Sequence, residues 1–89
     1  MVQRKATITN KLGLHLRAAA QLVQVASAFK SDVRVRRKNV EVDAKSIMGV
    51  LGLEGAIGAE LDVIASGPDE DKALAAVIEL IENKFNEGE

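Results

Sequence analysis

His15 is the only histidine in this chain of 89 residues, and it stands where a strand-like segment gives way to an alanine-rich helical one. A helix N-terminus exposes unpaired backbone N–H groups and the positive end of the helix dipole, so it attracts anions. An imidazole there, two residues before the guanidinium of Arg17, could accept a phosphoryl group and hold its charge. The same placement disfavours the imidazolium form, so we expect a neutral, nucleophilic His15 near neutral pH. The alternative is structural: His15 simply caps the helix or fills the loop.

Length and composition limit the classes of function open to the chain. Its 89 residues suit one domain, residues 1–89, that is too small to enclose a substrate pocket, so any chemistry should take place at the surface. With no cysteine and one histidine, we expect no disulfide, no metal site and no cofactor. No segment approaches the length of a membrane span and the first residues lack an apolar signal region, so we expect a cytoplasmic protein that does not insert into membranes.

The charge pattern argues against nucleic-acid binding. The formal net charge is -1, although four cations fall between residues 34 and 38. Alternation explains that run, because Val33 and Val35 would face the core while Arg34 and Arg36 point to water. With two Phe and no Tyr or Trp, the chain also lacks the aromatic platform on which small RNA-binding sheets stack bases. An RNA-binding domain that uses the basic run is therefore the weaker alternative.

Hydrophobic periodicity predicts the elements that position these residues. Two-residue alternation is typical of half-buried strands, and it occurs in the segments 2–9, 32–37, 40–43 and 60–66. With three helices between and after them, the element order is β-α-β-β-α-β-α. This order predicts an α+β fold, an open-faced sandwich in which a four-stranded antiparallel sheet carries the helices on one face.

Three helices are expected. The first covers residues 16–29, and the second is a short helix over 47–53 with Ser46 as its N-cap. The third follows Asp69, which we expect to cap it. The long helices should turn their apolar stripes to the core, and the residues of these stripes are Ala19, Leu22, Val23 and Ala26, then Leu74, Val77, Ile78, Ile81 and Phe85.

Two motifs indicate a family. The segment Gly13-Leu14-His15-Leu16-Arg17 is similar to the motif Gly-(Ile/Leu/Met)-His-Ala-Arg-Pro-Ala, and the segment Lys45-Ser46-Ile47-Met48-Gly49-Val50 is similar to the surroundings of a regulatory serine. Both motifs belong to HPr, the histidine-containing phosphocarrier family of the bacterial phosphotransferase system. Their spacing and the order of elements also match, so the chain resembles this family over essentially its whole length.

The resemblance implies a phosphocarrier and not an enzyme. In the family, the histidine at the position of His15 takes a phosphoryl group on Nδ1 from enzyme I and passes it to acceptors of the EIIA or EIIB type. Arg17 would pair with the phosphoryl charge, and the backbone N–H groups of Leu16, Arg17 and Ala18 would bond its oxygens. The family usually has Ala or Thr in place of Leu16 and Pro in place of Ala18. We expect the bulk of Leu16 to alter partner fit more than chemistry.

Ser46 has two compatible roles in this interpretation. As an N-cap it contributes about 1 kcal/mol to the short helix. The resemblance implies phosphorylation by HPr kinase, which would bring about two negative charges to the surface that enzyme I contacts and reduce transfer to His15. It also implies an apolar docking patch for partners, which comprises Leu16, Ala20, Gln24, Ile47, Met48 and Leu51. Val50 and Leu53 are expected in the core.

Several alternatives stay open at this point. The family has a sugar-uptake branch and a nitrogen-related branch, and residues 9–13 and 67–78 resemble the second whereas residues 45–50 resemble the first. A non-carrying regulatory module, which binds partners through the Ser46 surface alone, is the alternative from a different class. The presence of His15 counts against it, because silent relatives lack the histidine. We expect a monomer in either case.

Overall fold

The computed structural model describes residues 1–87 and places four antiparallel strands in one sheet. The strands are β1 (Val2–Thr7), β2 (Asp32–Arg37), β3 (Val40–Asp43) and β4 (Glu60–Ser66), in the spatial order β1-β4-β2-β3. The helices are α1 (Leu16–Ser27), α2 (Ile47–Gly52) and α3 (Glu70–Glu82), followed by a short turn, Lys84–Asn86. The predicted element order and the open-faced α+β sandwich are confirmed. In the described part of the chain, no helix has the length and apolar character needed to cross a membrane.

One face of the sheet is buried and the other carries the charges. Val35 of β2 lies opposite Val63 of β4, and both side chains are fully buried. On the outer face, the guanidinium of Arg36 contacts the carboxylate of Asp62 at 3.3 Å and that of Glu41 at 3.7 Å. A slip of one residue would exchange the two faces, so burial fixes the register. Arg34 and Arg36 of the basic run lie on the outer side of β2, as expected, whereas Arg37 donates to the Leu53 carbonyl at 3.1 Å and Lys38 follows the end of the strand.

The apolar faces of α1 and α3 cover the buried side of the sheet. The buried residues of the two helices are Ala18, Ala19, Leu22 and Ala26 on α1, and Ala73, Val77, Ile78, Leu80 and Ile81 on α3. Two predicted members of the stripes, Val23 and Leu74, are only partly buried and pack at the margin of the core. The buried positions that the prediction did not include are Ala18 on α1 and Ala73 and Leu80 on α3, because each stripe is rotated slightly about its helix axis relative to the prediction.

The ends of β1 and α1 fall two residues before the predicted ones. β1 ends at Thr7, although Ile8 remains buried and its N–H bonds to the Ala59 carbonyl at 2.9 Å. α1 ends at Ser27 because the N–H groups of Ala28 and Phe29 bond to carbonyls three residues earlier, at 3.2 and 3.3 Å. Such a tightened last turn is a common way of satisfying the final carbonyls of a helix.

Phe85 is buried as predicted, but it does not lie on α3. The helix ends at Glu82, and the turn after it holds Lys84, Phe85 and Asn86 at φ of 56°, 53° and 62°. Three successive residues with a Cβ in the left-handed region cost about 1 kcal/mol or more each. Full burial of the Phe85 ring in the core offsets part of this cost.

Asp69 is the N-cap residue of α3, as predicted, and its carbonyl accepts a hydrogen bond from the Ala73 N–H at 2.9 Å, but its side chain makes no capping hydrogen bond. Its carboxylate accepts hydrogen bonds from the Lys30 N–H at 3.0 Å, the Ser31 N–H at 2.9 Å and the Ser31 hydroxyl at 2.5 Å. Gly67 makes room for this clamp, since a Cβ at that position would lie 2.7 Å from Ser31. Asp69 therefore ties the loop before β2 to the start of α3, a long-range contact that no local pattern reveals.

The Asp69 clamp makes stability depend on pH. The hydrogen bond from the Ser31 hydroxyl, helped by the two backbone N–H groups, lowers the pKa of Asp69 from 3.8 to about 2. The clamp is therefore fully effective above pH 4, and its contribution is lost as the pH falls toward 2. We expect Asp69→Asn to lower the free energy of unfolding at pH 7, and the difference from the wild type to shrink toward pH 2, as measured by urea unfolding.

A matched control is Asp71→Asn, which removes an exposed carboxylate from the first turn of the same helix. This variant should change the free energy of unfolding little at either pH. Equal losses in the two variants at pH 7 would contradict the clamp, because the effect would then come from the helix dipole.

Candidate functional site

His15 is the N-cap residue of α1, with φ of -73° and ψ of 175°. Its carbonyl accepts the first intrahelical hydrogen bond, from the Ala19 N–H at 2.9 Å. The N–H groups of Leu16, Arg17 and Ala18 therefore have no acceptor within the helix. The imidazole itself makes no capping hydrogen bond, so His15 caps α1 through its backbone and its ring is not occupied as a cap.

A turn at Gly13 delivers His15 to the helix terminus. Gly13 has a φ of 64°, and a Cβ there would lie 2.4 Å from the Gly55 carbonyl oxygen. The following residue, Leu14, donates its N–H to that same carbonyl at 2.8 Å and has a buried side chain. Only glycine permits this close approach, because it lacks a Cβ and tolerates positive φ.

The imidazole of His15 has a partner that sequence reasoning missed. Its Nε2 is hydrogen-bonded to Oε2 of Glu87, 72 residues away along the chain. The other carboxylate oxygen accepts a hydrogen bond from Nδ2 of Asn10 at 2.9 Å, and Asn10 is fully buried. The hydrogen bond from His15, above all, lowers the pKa of Glu87, so this carboxylate is ionised near neutral pH. No motif or periodicity marks a glutamate beyond the last helix.

A surface cleft of about 360 Å³ brings His15, Arg17 and Glu87 together. Its other lining residues are Leu12, Gln21, Phe85 and Asn86. The positive charge of Arg17 also contributes to the lowered pKa of Glu87, which places the two charges within electrostatic reach. Of the residues predicted to act on a phosphoryl group, the structure therefore joins His15 and Arg17 in one cleft at the start of α1.

A larger cleft, of about 520 Å³, lies on the outer side of the sheet. Its charged lining residues are Lys5, Arg37, Lys38, Glu60 and Asp62. These are three cations and two carboxylates, so most of the charge is compensated, and no imidazole is among the described residues that line this cleft. The imidazole of His15 and the guanidinium of Arg17 line the smaller cleft instead.

The arrangement at His15 suits a doubly negative group on the ring. Three backbone N–H groups without helical acceptors, the positive end of the α1 dipole and the Arg17 guanidinium all favour negative charge there. The cleft is open, so another protein can reach the imidazole. Phosphoryl transfer depends mainly on positioning and on electrostatic stabilisation of the phosphoryl oxygens, and this arrangement can provide both.

Ser46 caps α2, as predicted. Its hydroxyl accepts a hydrogen bond from the Gly49 N–H at 3.2 Å, and its backbone is extended. The helix that it starts is only six residues long and packs against α1. Val50 and Leu53 are buried, which confirms their predicted place in the core.

Apolar side chains are exposed on both sides of the contact between α1 and α2. Leu16 is 64% exposed at the start of α1, and Met48 is 74% exposed on α2. Ala20, Gln24 and Ile47 are also exposed, whereas Leu51 is partly buried against the core. Sequence reasoning did not single out Leu12, which is 66% exposed and lines the cleft of His15.

Comparisons with known proteins agree with this geometry. The family description "PTS HPr component phosphorylation site" matches residues 2–83. The phosphocarrier protein HPr of Cupriavidus necator is 52% identical over 89 residues, which are 100% of both chains. A match of this extent includes every element that builds the His15 cleft up to the end of α3.

Solved structures extend the agreement to three dimensions. The crystal structure of HPr-C-His from Thermoanaerobacter tengcongensis superposes with a TM-score of 0.94 at 45% identity and covers 98% of each chain. The crystal structure of an HPr dimer from that organism gives a TM-score of 0.76 at 45% identity, over 96% of this chain and 98% of that one. The chain therefore belongs to the HPr family, the phosphocarrier proteins of the bacterial phosphotransferase system.

Proposed function

We propose that His15 accepts a phosphoryl group from phosphorylated enzyme I and donates it to acceptor proteins of the EIIA or EIIB type. The observation that carries the proposal is the N-cap position of His15, beside three N–H groups without an intrahelical acceptor. These donors and the helix dipole favour a phosphoryl group over an unmodified ring. Arg17, in the same cleft, adds a full positive charge.

The transfer step requires little from this chain beyond alignment. Nδ1 of His15 forms a bond to phosphorus while the bond between phosphorus and the donor atom breaks, and the electron pair of that bond leaves with the donor. Such transition states are stabilised chiefly by positioning and by positive charge near the equatorial oxygens. The N–H groups of Leu16, Arg17 and Ala18 and the Arg17 side chain are the donors proposed for this task.

The exposed apolar residues around the cleft supply the proposed docking surface. Leu16, Ala20 and Gln24 lie along α1, while Ile47 and Met48 lie on the neighbouring α2, with Leu51 at the margin. A small apolar patch around a charged centre suits brief encounters with several partners, because little area is buried in each. Each partner protein that binds this patch would have the His15 imidazole near the centre of its interface.

A monomer in the cytoplasm is the proposed working form. β1 pairs with β4 of the same chain along its whole length, so the sheet is complete without a second copy. A relative has been solved as a dimer, so family members can also associate. Analytical ultracentrifugation of this protein would show whether it is a monomer or a dimer in solution. The absence of cysteine from the chain fits a reducing compartment.

Regulation through Ser46 is the second part of the proposal. The hydroxyl stands at the N-terminus of α2, next to Ile47 and Met48 of the docking surface. A phosphoryl group there would be tolerated by the helix terminus, yet it would add about two negative charges to the surface that enzyme I must approach. Phosphorylation of Ser46 by HPr kinase is therefore expected to slow transfer to His15.

The first prediction concerns the acceptor atom. Incubation with phosphoenolpyruvate and enzyme I should add one acid-labile phosphate to the wild type and none to His15→Ala, as measured by intact mass. The lability to acid follows from the N–P bond. A wild type that stays unmodified with several enzymes I, while HPr kinase still labels Ser46, would contradict the carrier function and leave the regulatory binding module as the answer.

The second prediction concerns Arg17. Arg17→Ala should lower the rate of phosphoryl acceptance by roughly 10- to 100-fold, because it removes a guanidinium that lines the cleft of His15. The measurement is the rate of phosphohistidine formation under single-turnover conditions. Arg34→Ala, which removes an arginine from the outer face of the sheet, is the control and should leave the rate unchanged.

The third prediction separates charge from capping at Ser46. Asp and Asn both cap helices well and have nearly the same shape, so Ser46→Asp and Ser46→Asn should preserve α2 and differ mainly in charge. We expect Ser46→Asp to raise the KM for enzyme I about fivefold and Ser46→Asn to leave it close to that of the wild type, with the difference reduced at high salt. Equal KM values for the two variants would exclude an electrostatic switch at this position.

A further inference from the structure

We infer that Glu87 is a positioning residue for His15: it holds the ring hydrogen on Nε2 and so leaves the lone pair of Nδ1 as the reactive one. The inference deepens the proposed carrier function and rests on it. It starts from the contact between Nε2 of His15 and Oε2 of Glu87. A neutral imidazole has a single N–H, which is on either Nδ1 or Nε2. If a contact fixes this hydrogen on one nitrogen, the other nitrogen has the free lone pair and can act as the nucleophile.

Glu87 can only accept the hydrogen bond in this contact. A glutamate carboxyl with its ordinary pKa of 4.5 is already ionised near neutral pH, and an ionised carboxylate has no hydrogen to give. Nε2 must therefore be the donor, and the neutral ring must have its free lone pair on Nδ1. The carboxylate acts on the tautomer in the same manner as the carboxylates that orient catalytic and metal-binding histidines.

The carboxylate is held in place by contacts on both sides. Both hydrogens of the Asn10 amide are used, one on Oε1 of Glu87 and one on the Gly13 carbonyl, each at 2.9 Å. Asn10 therefore links Glu87 to the turn that positions His15. On the other side, the buried Phe85 fixes the turn that leads to Glu87, although that turn keeps three residues at positive φ. A strained turn maintained in this way indicates that the position of Glu87 is specified and not accidental.

The position of the hydrogen matters for the transfer step. When Nδ1 of His15 bonds to phosphorus and the donor leaves with its electron pair, the ring gains positive charge and keeps its hydrogen on Nε2. The Glu87 carboxylate then faces an N–H of a cationic ring and stabilises it through a charge-assisted hydrogen bond. In the reverse direction the same hydrogen makes the ring a good leaving group, because the nitrogen that departs from phosphorus becomes part of a neutral imidazole.

The decisive experiment is ¹⁵N NMR of the imidazole, which is unambiguous because the chain has one histidine. At a pH where His15 is neutral, the wild type should show one nitrogen of pyrrole type, Nε2, and one of pyridine type, Nδ1. In Glu87→Gln, whose neutral amide is a weaker acceptor and can also donate, the ratio of the two tautomers should fall by about fivefold. Amide spectra of each variant verify that the fold is kept.

Glu82→Gln is the matched control, because it makes the same chemical change on an exposed residue of α3. Its tautomer ratio should equal that of the wild type. An unchanged ratio in Glu87→Gln would overturn the inference. Since this measurement needs no donor protein, it is independent of whether the chain carries phosphoryl groups.

A kinetic measurement completes the test. The rate of phosphoryl acceptance by Glu87→Gln should fall by about fivefold, in proportion to the lost tautomer, while the KM for enzyme I stays near that of the wild type. A faster rate in Glu87→Gln would show that the carboxylate obstructs the ring and would overturn the positioning role. A wild type that accepts no phosphoryl group would instead contradict the proposed function, with the tautomer ratio still deciding the role of Glu87.

Discussion

The close approach of the Gly13 turn to the Gly55 carbonyl is the constraint on which the geometry around His15 depends. The Leu14 N–H bonds to that carbonyl, so the loop before α1 cannot shift without losing a hydrogen bond and exposing the Leu14 side chain. This contact decides where α1 begins, and the beginning of α1 decides which N–H groups lack acceptors. A side chain at position 13 would push the two loops apart and carry the imidazole away from the positive end of the helix.

The last described residues, 84–87, also help to position His15. After α3, the three residues at positive φ turn the backbone back toward the start of α1, and burial of Phe85 anchors the turn. Glu87 thereby reaches both His15 and Asn10, which bonds to the Gly13 carbonyl. Segments far apart in sequence thus converge on one imidazole. A chain of 89 residues has no interior large enough for an enclosed active site, and contacts between loops position the His15 imidazole at the surface instead.

The sequence was informative wherever structure is decided locally. Alternation predicted β4 at its observed bounds, and the Ser46 cap followed from residue type beside an apolar helical run. It predicted Asp69 at the N-cap of α3, but it did not reveal that the carboxylate bonds to Lys30 and Ser31 instead of to the helix. It gave no indication of Glu87, because the contact with His15 depends on a left-handed turn of residues that rarely adopt one. The motif therefore marked His15, while its contact with Glu87 had to be read from the fold.

For the proposed carrier function, the charges around His15 would allow a phosphoryl group both to bind and to leave. The helix dipole and Arg17 attract it, while the Glu87 carboxylate lies at the opposite nitrogen and contributes negative charge nearby. The lone-pair directions of Nδ1 and Nε2 diverge, so the carboxylate and a phosphoryl group do not compete for one place. A carrier with cations alone at this site would bind the phosphoryl group more firmly and release it more slowly. Glu87 stabilises the positive charge that develops on the ring as Nδ1 bonds to phosphorus, and in the reverse step it holds on Nε2 the hydrogen with which the ring leaves as a neutral imidazole.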